Sequence, residues 1–200
     1  MMRKLQVIQP AGAGLSGIRI AVTMDASMTP RIATSMKLAE FNNADPAAAH
    51  ATIRPCIDVT RWVEEVAAAR PFAGRGELLE FAAQAANPFT PAEVEAAMAH
   101  HPRIGERPTA ASTEASMSRS EQAGVDPADA GAAEALARGN RKYEEKFGRV
   151  FLIRAAGRTA PEILQALNQR LANSPEEEDS IVAQQLREIA LLRLEGLISE

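Results

Sequence analysis

Two segments of this chain, Thr90-Pro91-Ala92-Glu93 and Ser174-Pro175-Glu176-Glu177, carry the same helix-starting signal, and it constrains the fold more than any other feature. In each, a hydroxyl residue sits where it can accept the third helical N–H, a glutamate three residues on can reach back to the cap, and proline occupies the first position, where its missing N–H is not needed. After the first, Val94, Ala97, Met98 and His101 recur at three- and four-residue spacing. After the second, Ile181, Leu186, Ile189, Leu192 and Leu197 form an apolar stripe wide enough for core packing or for a dimer seam. Asp45-Pro46 opens another helix through about Arg54, and Asp58 one that carries Trp62, Val63 and Val66 on one side. Gly74 and Gly76 punctuate the turn before a helix over Glu77 to Ala86. Asp126-Pro127 opens a long helix to about Phe147, weakened locally by Gly131 and Gly139. Val150 to Ile153 is too short to type by its period and reads as an extended segment. The expectation is an all-α protein: one compact helical domain over residues 36–200, preceded by an extension over residues 1–35 in which Gly, Pro, Ser and Thr separate short apolar runs.

Composition narrows the functional classes. A chain of 200 residues can bury one substantial core, and a net charge of −4 gives no basic face for nucleic acid. Ile18 to Val22 is too short to span a membrane, and Arg19 interrupts it, which suits neither an anchor nor a secretory leader. The single cysteine, Cys56, excludes an intrachain disulfide and fits a reducing compartment; its place before an amphipathic helix marks it as a small core residue. A cytoplasmic protein is expected.

The candidate chemistry lies in two places. His101 closes the stripe that Val94, Ala97 and Met98 turn inward, and Pro102 stops the helix there and biases His101 toward an extended backbone. A histidine so held can give or take a proton near neutral pH, or it can serve only as a cation at a helix C-terminus. Downstream, if Thr113 to Ala123 is helical, Ser118, Glu121 and Gln122 project from one face, as a site lining or as a solvated surface.

Taken in order, His101 to Glu106 (HPRIGE), the Ser118-to-Gln122 helix (SRSEQ), Tyr143 to Phe147 (YEEKF) and Phe151 to Thr159 (FLIRAAGRT) resemble the OHCU decarboxylases, which act on 2-oxo-4-hydroxy-4-carboxy-5-ureidoimidazoline in urate degradation. The likeness extends over Leu38 to Asn42 (LAEFN), Arg54 to Val63 (RPCIDVTRWV) and Ala166 to Glu178 (ALNQRLANSPEEE). It implies a helical bundle, a small-molecule substrate, a homodimer, and a cofactor-free, metal-free decarboxylation yielding (S)-allantoin. It also implies His101 as the acid/base residue and Glu121 as the catalytic carboxylate. Pro102, Ser118 and Gln122 would contact substrate, with main-chain groups of Phe151, Ile153 and Ala155 supplying further hydrogen bonds. For the family's substrate-binding arginine the sequence offers Arg158, which we favour, and Arg154. A fused transthyretin-like hydrolase domain, carried by some relatives, is not expected here.

The residue types suit that chemistry. The substrate carries a hydroxyl and a carboxylate on one ring carbon beside a C=N bond, so the electrons released with CO2 flow into the imine and the protein need only orient, move protons and choose a face. Two rivals belong to other classes. A metal hydrolase would draw on His100, His101, Glu106 or Glu121, but no HExxH pattern completes a site. A non-catalytic helical module would use the C-terminal stripe as its partner surface.

Overall fold

The computed structural model describes residues 35–99, 101–105, 113–124 and 130–200. The extension expected over residues 1–35 lies, but for Ser35, outside the described residues, as do His100, Glu106 and the Asp126-Pro127 helix start. Short helices α1 (Leu38–Asn43), α2 (Pro46–Ile53), α3 (Thr60–Ala68), α4 (Arg75–Gln84), α5 (Pro91–Met98) and α6 (Thr113–Glu121) precede longer α7 (Ala130–Phe147), α8 (Ala160–Arg170) and α9 (Pro175–Leu197). A 3-10 turn, Arg54–Cys56, separates α2 from α3. The described residues are all-α apart from two two-residue strands, β1 (Met36–Lys37) and β2 (Ile198–Ser199), which pair in parallel, Met36 with Ile198 and Lys37 with Ser199.

The caps explain where the helices begin. Thr90 and Glu93 form the expected reciprocal pair at α5, with Glu93 Oε2 accepting the Thr90 N–H at 2.7 Å, and Ser174 and Glu177 do the same for α9 at 2.8 Å. Thr159 and Glu162 make a third capping box at α8. Asp45 caps α2 as expected. Two starts differ from the sequence reading. Helix α3 is capped at Val59, because Asp58 is drawn back to Arg54 at 2.6 Å. Helix α4 begins at Arg75 instead of Glu77, because the Glu77 carboxylate reaches back to the Ala73 N–H at 2.6 Å and leaves Gly74 as the cap.

Two apolar cores result. The larger gathers Phe41, Ile53, Trp62, Val66 and Leu78 around the buried stripe of α9, which packs against α2, α4, α5 and the 3-10 turn. That stripe comprises Val182, Leu186, Ile189, Ala190, Leu194 and Leu197, so it is consumed within the chain; Ile181 and Leu192 are only half-buried. Trp62 is fully enclosed and its indole N–H donates to the Ala82 carbonyl at 2.8 Å. The smaller core lies under α7 and α8, around Leu136, Tyr143, Ile163 and Leu167. The segment from Val150 to Ala155, without regular secondary structure as expected, runs along both: Leu152 belongs to the larger core, whereas Phe151, Ile153 and Ala155 belong to the smaller.

Candidate active site

The end of α5 fixes the histidine. Its main chain turns tightly, the His101 N–H donating to the Met98 carbonyl at 3.1 Å, and Pro102 then prevents the helix from continuing. The ring folds back so that Nδ1 lies 2.9 Å from the Ala97 carbonyl. A carbonyl oxygen can only accept, so the neutral ring carries its proton on Nδ1 and its lone pair on Nε2. The loop that follows is held from two sides: Asn140 Nδ2 donates to the Ile104 carbonyl at 3.1 Å, and Gln122 Oε1 accepts the Gly105 N–H at 3.0 Å. Gly105 has φ of +85°, a conformation that disfavours any side chain.

Helix α6 supplies the opposite wall. The helix proper ends at Glu121 and not at Ala123, but the Gln122 N–H still donates to the Ser118 carbonyl at 3.1 Å, which keeps Ser118, Glu121 and Gln122 on one face. Ser118 is buried, which removes the reading of this face as solvated surface.

All of the sequence-expected site residues except Arg158 border one narrow cleft: His101 and Pro102 from the α5 end, Ser118, Glu121 and Gln122 from α6, and Phe151, Ile153 and Ala155 from the Val150-to-Ala155 segment along the two cores, hereafter the seam segment. Its free volume is only ≈ 20 Å³, room for little more than one water. Arg158 lies apart, its Nε donating to the Arg154 carbonyl at 3.1 Å, and Arg154 leans toward Glu188 at 3.8 Å.

The guanidinium that does reach Glu121 comes from a residue the sequence reading passed over. Arg193, on α9, grips both carboxylate oxygens of Glu121, at 2.6 and 3.0 Å, and extends its Nη2 to Ser118 Oγ at 3.1 Å. This side chain is 4% exposed. Its other amino group approaches the carbonyls of Pro55 and Cys56, both at 3.5 Å. The signal was available: Arg193 falls eleven residues after Val182 and four after Ile189, on the inward stripe of α9, where a charge is costly unless paired. Burial pushes the neighbouring Cys56 thiol up to about 12 despite the Arg193 charge, so it is no nucleophile.

The cleft therefore joins an imidazole with a defined tautomer, a carboxylate held by a bidentate guanidinium, a hydroxyl and a carboxamide. That set can move a proton and orient a small polar heterocycle. Among the described residues, no group of three or more His, Cys, Asp or Glu side chains is placed to hold a metal ion. No described helix is long and apolar enough to cross a membrane.

Comparison with known proteins gives a concordant result. Residues 42–195 match the model of the OHCU decarboxylase family. The uric acid degradation bifunctional protein TTL of Arabidopsis thaliana is 39% identical over 107 residues, 52% of this chain and 33% of that protein. The 2-oxo-4-hydroxy-4-carboxy-5-ureidoimidazoline decarboxylase of Amia calva is 33% identical over 131 residues, 64% of this chain and 75% of that one. The chain thus spans a third of the length of the plant protein and three quarters of the fish protein. A crystal structure of OHCU decarboxylase in the presence of (S)-allantoin superposes with a TM-score of 0.60 at 26% identity, covering 77% of this chain and 98% of the other. The crystal structure of an (S)-allantoin synthase shares the fold, with a TM-score of 0.59 at 16% identity over 82% of this chain and 54% of its own.

Proposed function

The chain belongs to the OHCU decarboxylase family, and from that premise we infer that it removes CO2 from 2-oxo-4-hydroxy-4-carboxy-5-ureidoimidazoline to give allantoin in urate degradation. The observation that carries this reading is the meeting of His101, Ser118, Glu121 and Gln122 with Phe151, Leu152, Ile153 and Ala155 in one cleft.

His101 and Glu121 are assigned the chemistry. As the C–C bond to the carboxylate breaks, its electron pair forms a C=C bond with the adjacent ring carbon and the imine electrons pass to nitrogen, which takes up a proton. The resulting enol gives its hydroxyl proton to His101 Nε2, and a proton delivered to the neighbouring carbon creates the stereocentre. One proton from solvent balances the reaction. The hydrogen bond from Nδ1 to Ala97 supports this role, since it keeps Nε2 basic and fixes the ring plane. Glu121, oriented by Arg193, accepts N–H groups of the ring or ureido arm, and Gln122 can both donate and accept there. Arg193, acting through the Glu121 and Ser118 it holds, supplies a permanently charged fork behind the cleft, a role the sequence reading gave to Arg158. Protonation from one side gives (S)-allantoin. The family resemblance supports a homodimer, and the single cysteine supports a reducing compartment such as the cytoplasm.

The test is circular dichroism of the allantoin formed when freshly generated substrate meets purified, chelator-treated protein, with His101→Asn as control. Rapid growth of the (S)-allantoin signal, absent in the control, is expected. Racemic product at the uncatalysed rate in both refutes the assignment.

A further inference from the structure

From Phe151 to Arg154 the seam segment is held on one edge only; beyond it, the Ala155 carbonyl accepts the Arg158 N–H at 2.9 Å. The Leu152 carbonyl accepts a hydrogen bond from Arg170 Nη1 at 2.7 Å, and the Arg154 N–H donates to Gln185 Oε1 at 2.9 Å. Both partners come from the side of α8 and α9. The N–H and C=O groups of Phe151 and Ile153 have no protein partner among the described residues, although these residues are 1% and 7% exposed. In extended chain, alternate residues turn their polar groups to opposite edges and their side chains to opposite faces. The side chains obey the same alternation, with Leu152 in one core and Phe151, Ile153 and Ala155 in the other. Satisfying residues 152 and 154 from behind therefore turns the polar groups of residues 151 and 153 the other way; Phe151 and Ile153 line the cleft, together with Leu152 and Ala155. Buried main-chain groups left without partners call for a ligand or water that supplies them.

The anchors are themselves immobilised. Arg170 is clasped by Glu178, with Nε and Nη2 at 2.8 and 2.5 Å from Oε1, and its guanidinium lies 4.6 Å from the centre of the Phe151 ring. Glu178 is fully buried and also accepts from Tyr143 Oη and, at 2.8 Å, from Asn173 Nδ2. Gln185 is braced by Glu188 at 3.2 Å.

We propose that Arg170 and Gln185 are positioning residues for the decarboxylation: by occupying the rear edge of the seam segment, they set the main-chain groups of Phe151 and Ile153 in the register that receives the alternating N–H and C=O groups of the substrate's cyclic urea. Neither side chain touches substrate. The inference rests on the decarboxylase reading. It identifies two residues outside the cleft that govern ground-state binding, and it assigns their effect to KM.

The experiment compares steady-state kinetics of Gln185→Met and Arg170→Lys with the unaltered protein and with Val66→Ala, a change on α3 in the larger core that touches neither anchor's hydrogen bond to the segment. Gln185→Met removes the acceptor for Arg154 N–H at nearly constant volume, and Arg170→Lys keeps the charge opposite Glu178 while losing the fork that also reaches Leu152. Losing one such hydrogen bond raises KM about threefold to tenfold, with kcat held within about twofold, because the interaction acts on binding. Val66→Ala lowers thermal stability and leaves KM unchanged. Unaltered KM in Gln185→Met, or an equal rise in Val66→Ala, overturns the proposal while leaving the decarboxylase reading in place. An unaltered protein without stereoselective turnover refutes that reading, and the inference falls with it. Gln185 is half-buried, so its variant folds and yields an answer even where Arg170→Lys does not.

Discussion

Replacing Arg193 with methionine removes one of the best-paired charges in the molecule, and the cost follows from its contacts. Arg193 is 4% exposed and Glu121 14% exposed, so the variant leaves a largely buried carboxylate without its bidentate partner and Ser118 without a donor. Breaking a buried pair by removing one member costs roughly 3–5 kcal/mol. Glu121 borders the cleft and keeps some access to water, which places the expected loss near the lower end, about 3 kcal/mol. For a domain of this size that loss lowers Tm by about 6–12 °C. Urea denaturation followed by the fluorescence of Trp62, the only tryptophan, reads the loss directly. Pairing the change with Glu121→Gln separates the interaction from mere packing. With the charge gone there is little left to strand, so the double variant is more stable than the sum of the two single losses requires, by about 2 kcal/mol. Additive losses, or a single-variant loss under about 1 kcal/mol, would show that the pair does not hold α6 against α9. Turnover disappears in Arg193→Met even where the protein remains folded.

Three further outcomes follow from groups outside the cleft. The Arg61 guanidinium, hydrogen-bonded to Glu93, holds that carboxyl down to about 2 from its ordinary 4.5; a depressed folded-state value stabilises above the ordinary range and is lost as pH falls toward 2, so Glu93→Gln flattens the acid limb of a plot of Tm against pH. An identical acid limb in variant and parent refutes the assignment. The Cys56 thiol, raised to about 12 by burial, resists alkylation at pH 8 in the folded protein and reacts only with unfolding, as mass spectrometry of iodoacetamide-treated samples with and without urea will show. Ser174→Ala removes the hydroxyl cap of α9 and costs about 1 kcal/mol, a fall in Tm of roughly 2–4 °C by differential scanning calorimetry.

Helix starts were legible wherever the signal was local. The Thr90 and Ser174 boxes depend on residues within one turn, and the structure places α5 and α9 where those boxes put them. The starts of α3 and α4 departed from the sequence pattern because a competing partner lay nearby: Arg54 for Asp58, and the Ala73 N–H for Glu77. His101 and the α6 face were recognisable as motifs, yet their meeting required α9, whose contribution, Arg193, lies 72 residues from Glu121. An arginine in an apolar stripe reads as an interruption until its partner is known. Arg158 drew the assignment because it follows the seam segment in sequence. The tight turn after Ala155, closed by the Arg158 N–H at 2.9 Å, carries it away from the cleft.

The position of the cleft follows from how the two cores meet. A helical protein satisfies most of its main chain within each helix, so it has no general means of pairing an extended stretch buried between bundles. This chain pairs one edge of Val150 to Ala155 with Arg170 and Gln185, and on the other it pairs the Ala155 carbonyl with the Arg158 N–H but leaves Phe151 and Ile153 without a partner among the described residues. Extending α8 through that region would satisfy the backbone internally, but it would also turn the polar groups along the helix axis and away from His101 and Glu121. The unregular segment thus bears a cost in stability at the place where the chemistry needs main-chain donors and acceptors, and the buried Arg170, Glu178 and Tyr143 cluster offsets that cost by fixing one edge. A substitution that regularised the segment would make the protein more stable and less able to bind its substrate.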